Sequence, residues 1–576
     1  MVILWRRRGL SRPSMAFALG LLPGATQCRG ERHRNYSMVL VGQDTRVGAA
    51  TLSASSTAAW RWRTAFWLAW AFSQIVRIAL AANLAPFGDE AWYWQESRAL
   101  DWSYSDLPLA TAWLIRLGES AFGHGVLAMR APFLLLGALL PLVLIRTGNR
   151  VFGSPVGWQA GLLALALPLL GTLGVFALPD VPLTLCWVVA LDALESALRT
   201  LDRRSWALLG FALAGAWLSH YRAGMLILTG LLFLLITPRG RLVWRDRGLW
   251  LALGISALGL VPLLLFNVEH GWVALGFQLV ERNPWSFHAD ALVQPLEQAI
   301  VCTPPFYLLL LWAAVRAARR ANDGEPWDLL AVCALGPIVG YFVLGCFADD
   351  TRLRLHWPLP GYLPLLLLLP VLLGERDGPH DGPLRRAALA LTLALLVLGC
   401  CLAYGYLAVA ATPGGAGALT RYKAFPEHWV GWNEVAAETR ARLARPEFTQ
   451  AVLVADNFML AAELDFALDG KRAVYTLDHP INIKHGRAPQ LALWQRDESA
   501  LRVLGPSRLL LVVEPTARRE RERAAWLSSL CTRVDNLSPE GKLDLYGGRK
   551  RYLFFAASGA AVADATRKSE DCPAAM

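Results

Sequence analysis

Two adjacent carboxylates, Asp89 and Glu90, follow an apolar run, residues 65–84, that is long enough to span a bilayer. Glu96, Asp101 and Asp106 come next, before Pro108, with Trp92, Tyr93, Trp94 and Trp102 set among them. A carboxylate can take the proton of a hydroxyl. A carboxylate pair at the mouth of a membrane helix, wrapped in Trp and Tyr, suits a polar substrate met at headgroup level. The same composition would also serve an interfacial aromatic belt whose acids face water, so the rest of the chain has to decide.

Composition makes the chain a polytopic membrane protein. Of its 576 residues, 55% are hydrophobic, and the mean hydropathy is +0.37. The net charge of +11 sits in arginines clustered between apolar runs, which is the mark of cytoplasmic loops and not of a nucleic-acid partner. The nine cysteines show no metal-ligand spacing. Cys186, Cys302, Cys333, Cys346, Cys400 and Cys401 lie in or beside apolar runs as small core residues. Cys531 and Cys572 are able to pair if the C-terminal region is extracytoplasmic.

The apolar runs predict about eleven spans, at 64–84, 127–146, 156–176, 179–199, 206–220, 223–238, 249–267, 298–316, 328–347, 358–374 and 386–411. Arginine clusters alternate between the intervening loops, and this places residues 1–63 in the cytoplasm and Asp89 outside. The expected class is an all-α polytopic membrane bundle with a C-terminal extracytoplasmic α/β domain. Residues 1–63 read as an irregular cytoplasmic tail, with Met38 as an alternative start to Met1. The bundle covers 64–411, and its first external loop, 85–126, includes an amphipathic interfacial helix over 109–121. Residues 412–419 read as a linker, 420–556 as the α/β domain, and 557–576 as a disordered tail. In the α/β domain strands are expected at 450–455, 472–476, 508–513 and 552–556, and helices at 428–443, 457–468 and 515–530.

The other external segments also carry polar chemistry. Asp180 lies in a Pro-Asp-Val-Pro turn. His220, Tyr221 and Arg222 form a basic, hydroxylated turn. Glu269 and His270 open the loop 267–298, and Arg352, Arg354 and His356 precede a helix start. Asp180 would serve equally as a helix cap, His270 as a capping or belt residue, and each arginine as a headgroup anchor. The chain has no P-loop, HExxH, nucleophile elbow or Cys/His metal cluster. What remains is an external carboxylate site with cations nearby. That suits transfer from a lipid-phosphate donor to an acceptor hydroxyl: a carboxylate takes the proton and cations hold the leaving phosphate.

Several motifs then point to a family. They are the Asp89-Glu90 pair with Trp92-Tyr-Trp94, Leu100-Asp-Trp-Ser-Tyr-Ser-Asp-Leu-Pro108, and Ala112-Trp-Leu-Ile-Arg-Leu-Gly118. Leu178-Pro-Asp-Val-Pro-Leu183, Leu218-Ser-His-Tyr-Arg-Ala223, Phe266-Asn-Val-Glu-His-Gly-Trp272 and His356-Trp-Pro-Leu-Pro360 follow in order. Gly431-Trp-Asn-Glu-Val-Ala436 and Asp456-Asn-Phe-Met-Leu-Ala-Ala-Glu-Leu464 complete the set. Together, over about residues 64–470, they resemble the C-type (GT-C) membrane glycosyltransferases. The nearest branch is the bacterial one similar to the dolichyl-phosphate-mannose protein mannosyltransferases and the lipid A aminoarabinose transferase, glycosyltransferase family 39-like.

The resemblance implies an inner-membrane enzyme that moves a hexosyl or pentosyl unit from a polyprenyl-phosphate donor. The acceptor would be a lipid, glycan or protein on the extracytoplasmic side. It implies that Asp89 is the catalytic acid of the first loop, with Glu90 and Asp106 assisting. Tyr93, Tyr104, Asp180, His220, Tyr221, Arg222, Glu269, His270, Arg352, Arg354 and His356 are expected around the substrates. The sequence departs from the pattern at Leu107, where the family usually has a basic residue, and at His220, where Lys is common. Arg222, Arg352, Arg354 or His356 would then have to supply the phosphate-side cation. No cofactor is demanded, although a carboxylate cluster is able to hold a divalent ion through oxygen ligands. The alternative is a transporter or flippase of polyprenyl-linked sugars, which should show internal repeats and broken helices.

Overall fold

The computed structural model describes residues 45–283, 285–348, 355–375 and 382–560. Arg352, Arg354, residues 1–44 of the expected N-terminal tail and residues 561–576 of the C-terminal tail lie outside the described residues. The first nine helices are α1 (Thr45–Asn83), α2 (Gly88–Arg98), α3 (Ala110–Phe122), α4 (Val126–Phe152), α5 (Val156–Ala166), α6 (Pro168–Gly171), α7 (Asp180–Thr200), α8 (Arg203–Ser219) and α9 (Ala223–Ile236). Helix α1 therefore runs through residues 45–63, which the sequence reading left irregular.

Every expected span begins on or overlaps a helix, but fewer of them are full-length spans. Among the described residues six helices are long and apolar enough to cross a membrane, or seven if one bent pair counts as a single span. Proline breaks two of the expected spans. The expected span 156–176 stops at Ala166, because Leu167 precedes Pro168 and is extended, with φ −70° and ψ 118°. The expected span 298–316 bends by 115° between Cys302 and Pro304, where Pro304 and Pro305 lack the amide donors that would continue the helix. The expected 249–267 span is two helices, Arg247–Leu258 and Val261–Glu269, with Pro262 in the first turn of the second, and together they remain long and apolar enough to cross a membrane.

The loop 85–126, expected on the external side, is ordered by packing. Helix α3 buries Thr111, Ala112, Ile115, Gly118 and Glu119 and leaves Trp113, Leu117 and Phe122 exposed. Gly118 permits that approach, since a Cβ there would stand 2.1 Å from the Ala128 carbonyl oxygen of α4. The membrane core centres on the helix Leu359–Gly374, whose Leu365 to Leu369 are all 0% exposed.

The C-terminal domain holds a five-stranded sheet of order β2-β1-β3-β5-β4. Strands β1 (Val452–Ala455), β2 (Val474–Thr476) and β3 (Leu509–Val513) are parallel, and β5 (Lys550–Ala557) and β4 (Ser538–Leu545) add antiparallel. Strand β4 was not expected, because Ser-Pro-Glu-Gly-Lys-Leu-Asp-Leu has no clean alternation and its register shifts between Pro539 and Gly541. The expected linker contains a short helix, Pro413–Ala418, capped by the Thr412 side chain accepting from the Gly415 amide. Between β2 and β3 lie three short helices, Pro480–Lys484, Ala488–Leu493 and Glu498–Val503. The first two and the turn between them dock on the first external loop.

Candidate functional site

Helix α2 presents its adjacent acids to two different environments. Glu90 points inward. It accepts from Arg130 Nε at 2.8 Å and Nη2 at 2.5 Å, from the Ala177 amide at 2.6 Å and from the Phe87 amide at 3.0 Å. Arg130 also donates to the carbonyls of Ala81, Leu84 and Ala85, and both side chains are 0% exposed. This pair ties the end of α1, the start of α2, α4 and the approach to α7 into one unit. Glu90, expected beside the chemistry, is absent from the cavity lining.

Asp89 faces the other way, into a cavity of about 150 Å³. Phe87, Asp89 and Tyr93 of the α2 region line it with Asp106 and Leu107 from the first-loop turn. Leu178, Pro179 and Asp180 come from the start of α7, and His220 and Arg222 from the α8–α9 turn. Phe277, Gln278, Arg282, His356 and Trp357 form a further wall, and Lys484, His485 and Arg487 reach in from the C-terminal domain.

Two charged clusters organise it. In the first, Arg487 stands between two acids, with Nη1 3.0 Å from Asp89 Oδ1 and Nε 3.0 Å from Asp106 Oδ2. Its guanidinium lies 5.1 Å from the Trp92 ring centre, 5.4 Å from Tyr93 and 4.4 Å from Phe458. In the second, Arg222 donates to Asp180, and His356 Nε2 lies 3.1 Å from Asp180 Oδ1. Arg222 and Arg282 both approach the Trp357 ring. Gln278 donates to the Asp106 carbonyl at 2.7 Å, which fixes the turn that carries Leu107.

Behind the acids, Trp92 Nε1 donates to Glu96 Oε1 at 2.9 Å and the Tyr104 hydroxyl donates to the Glu96 carbonyl at 3.0 Å. Burial, and then the charge of Asp106, hold the Glu96 carboxyl well above the usual range. Burial and the neighbouring Asp89 likewise push the Tyr93 hydroxyl up.

The cavity thus gathers Asp89, Tyr93, Asp106, Asp180, His220, Arg222 and His356 from the residues expected by sequence. Tyr104, Tyr221, Glu269 and His270 stand outside its lining. Tyr104 is a fully buried support of the first loop. Glu269 is exposed at the end of its helix. His270 has Nδ1 3.0 Å from the Phe266 carbonyl and its ring centre 4.4 Å from the Phe266 ring. Sequence reasoning noted Arg282 in the loop 267–298 without counting it a site residue, and it missed Gln278, Lys484, His485 and Arg487. The one signal for the last three was the basic run Lys484-His-Gly-Arg487 between two strands. Among the described residues no group of three or more His, Cys, Asp or Glu side chains is arranged to hold a metal ion. The place between Asp89 and Asp106 where a divalent ion would find oxygen ligands holds the Arg487 guanidinium.

The fold has relatives of known structure. ArnT from Cupriavidus metallidurans, solved bound to undecaprenyl phosphate, superposes with a TM-score of 0.59 at 17% identity, covering 85% of this chain and 97% of that one. Its apo form gives 0.58 at 18%. The chain has the fold of the C-type membrane glycosyltransferases. Residues 106–266 of this chain match the family model described as dolichyl-phosphate-mannose-protein mannosyltransferase.

Two curated relatives are similar in sequence. The lipid A galacturonosyltransferase RgtD of Rhizobium johnstonii is 26% identical over 44% of this chain and 54% of its own length. The undecaprenyl phosphate-alpha-4-amino-4-deoxy-L-arabinose arabinosyl transferase of Pseudomonas paraeruginosa is 28% identical over 50% of this chain and 54% of its own. The chain spans about half the length of these curated relatives. The resemblance read from the ordered motifs over about residues 64–470 is the one these comparisons return.

Proposed function

We propose that this protein is an integral-membrane glycosyltransferase that moves a sugar from a polyprenyl-phosphate donor to a hydroxyl of a lipid, glycan or protein acceptor. The observation that carries the reading is Asp89 in the first turn of α2, opening into a polar cavity beyond the end of an apolar helix, with Asp106 across the same guanidinium. Asp89 acts as general base. It takes the acceptor proton as the acceptor oxygen attacks the anomeric carbon, and the bond to phosphate breaks with its electron pair leaving on the polyprenyl phosphate. A phosphate needs no general acid to leave, so one base suffices. Tyr93, Asp180, His220, Arg222 and His356 form the walls that hold the two substrates. Glu90 holds α2 in place and takes no part in proton transfer.

The relatives act, by their names, with galacturonic acid and aminoarabinose, so the sugar class extends to acidic and amino sugars. We place the protein in a bacterial inner membrane, with about eleven membrane crossings and with the α/β domain on the periplasmic side. Cys531 is disulfide-bonded, and an oxidising compartment favours that state. The deciding experiment incubates the purified, reconstituted full chain with labelled polyprenyl-phosphate sugars and acceptor extracts. Label joined to an acceptor supports transfer. Label that crosses the bilayer still attached to the polyprenyl phosphate would mean a flippase instead.

A further inference from the structure

With Leu107 in its turn, the part of the first loop that lines the cavity carries no cation, and the C-terminal domain places one beside it. Arg487 is 4% exposed at its side chain. Its Nε makes a directed hydrogen bond to Asp106. Its Nη1, although 3.0 Å from Asp89 Oδ1, has no hydrogen-bond partner in line. A buried guanidinium nitrogen held by charge alone, at the wall of a cavity, is poised for an acceptor with better geometry. Among the described residues two other arginines line the cavity: Arg222 is paired with Asp180, although its Nε also has no hydrogen-bond partner, and Arg282 lies against Trp357 and Gln278.

Resting on the transferase reading above, we propose that Arg487 is the phosphate-binding cation of this site and that it changes partners during turnover. Before the donor arrives, Nη1 is shared with Asp89. When the donor phosphate enters, Nη1 turns to a phosphate oxygen while Nε stays on Asp106. Asp89 is thereby released as a proton acceptor only once the donor is in place. In the transfer step the acceptor O–H proton passes to Asp89, the acceptor oxygen bonds to the anomeric carbon, and the carbon–phosphate-oxygen bond breaks. The donor phosphodiester carries one negative charge and the polyprenyl phosphate product carries two. Arg487 therefore faces the atom group on which charge develops, where a fixed guanidinium lowers the barrier most.

The geometry also gives a dependence that relief of charge repulsion alone would not. Asp89 competes with phosphate for Nη1, so neutralising Asp89 should tighten phosphate binding even as it abolishes transfer. The gain must depend on Arg487.

The test titrates the full chain in nanodiscs with undecaprenyl phosphate. Arg487→Gln is expected to weaken binding by about tenfold or more, and Arg487→Lys to recover part of that loss. Asp89→Asn is expected to bind about threefold tighter or better, with the gain absent in the Asp89→Asn/Arg487→Gln double variant. In the transfer assay, Arg487→Gln should move the acid limb of the pH–rate profile to higher pH, because a carboxylate freed from a guanidinium holds its proton more strongly. Should Arg487→Gln fail to fold, Arg487→Lys and Asp89→Asn carry the same comparison. Affinity within twofold of wild type in Arg487→Gln, or an Asp89→Asn gain that persists without Arg487, overturns the proposal and leaves the transferase reading standing. The expected binding pattern without sugar transfer from any polyprenyl-phosphate sugar would sink the transferase reading and leave the phosphate site standing.

Discussion

Arg130 and Glu90 form a fully buried, two-point ion pair whose remaining donors are all spent on backbone carbonyls of the α1 end. Neither side chain touches water. Breaking a buried pair from one side leaves an uncompensated charge, which typically costs ~3–5 kcal/mol. Glu90→Gln is therefore expected to lower the melting temperature of the detergent-solubilised protein sharply and to reduce its yield. Arg130→Met combined with Glu90→Leu should recover a large part of the loss, since the unpaired charge goes too. A Glu90→Gln protein that melts normally but transfers no sugar would return Glu90 to the chemistry.

The opposite pattern is expected one residue earlier. Asp89 lines the cavity, and its side chain is 15% exposed. Asp89→Asn keeps the shape but removes the proton acceptor, and loss of one general base typically costs ~10²–10⁴-fold in rate. Expression and melting should stay near wild type. Transfer above roughly a third of wild type, measured in the reconstituted assay, would remove Asp89 from the mechanism.

These neighbours show where sequence reasoning reaches and where it stops. Period and charge placed the acids at the mouth of α1, and ordered motifs placed Asp180, His220, Arg222 and His356 near them, because each sits at the end of an apolar run whose position hydropathy reveals. Which of two adjacent acids faces the cavity depends on the 100° step between neighbours on a helix and on Arg130, 40 positions away. Neither is visible in a local pattern. Arg487 was missed for a stronger reason. Its role comes from the docking of a turn in the C-terminal domain on the first-loop turn, and no periodicity encodes a contact that spans 381 positions. Pro168 and Pro304 interrupt apolar runs that hydropathy alone reads as continuous helices.

That docking gives the third prediction. Ser105 donates from its hydroxyl to the Gly486 carbonyl at 2.6 Å, and its amide donates to Gln490 Oε1 at 2.9 Å. Gly486 has φ +72°, and a Cβ there would meet the Phe277 ring at 2.4 Å. Gly486→Ala therefore meets both backbone strain and a clash, on the loop that carries Arg487. Transfer is expected to fall by at least about tenfold, as a displaced catalytic group commonly costs, with global melting little changed. Ser105→Ala removes a single hydrogen bond worth ~0.5–1.5 kcal/mol and should have a smaller effect in the same direction. Wild-type turnover in Gly486→Ala would show that the docked turn is not needed for transfer.

The last prediction concerns two buried groups on either side of Trp526. Asp456, at the end of β1, is 0% exposed and accepts from Asn457 at 2.8 Å and from Trp526 Nε1 at 3.2 Å. Burial, and then the charge of Glu514, push its carboxyl up to about 7. His479, 4.5 Å from the Trp526 ring centre and beside Arg518, accepts from the Ile481 amide through Nδ1. Burial, and then the charges of Arg518 and Arg533, push it down to about 3. The two have opposite linkage. Folded Asp456 keeps a proton that the unfolded chain gives up near pH 4, so its contribution is full below that pH and is lost as pH rises to about 7. Folded His479 refuses a proton that the unfolded chain takes near pH 6.5, so its contribution is full above that pH and is lost as pH falls to about 3. Between about pH 4 and 6.5 the slopes, each ~1.4 kcal/mol per pH unit, oppose one another. Other carboxyls, Glu463 and Asp478 among them, are also pushed up and add to the wild-type slope, so the prediction is a change of slope relative to wild type. Asp456→Asn removes a falling contribution, so stability should rise more, or fall less, with pH than in wild type. His479→Gln removes a rising contribution, so stability should fall more steeply, or rise less, than in wild type. Unfolding of the full chain, followed by tryptophan fluorescence at pH 4.5, 5.5 and 6.5, reads both. Slope changes of the same sign in the two variants would mean that Asp456 and His479 do not titrate as their surroundings dictate.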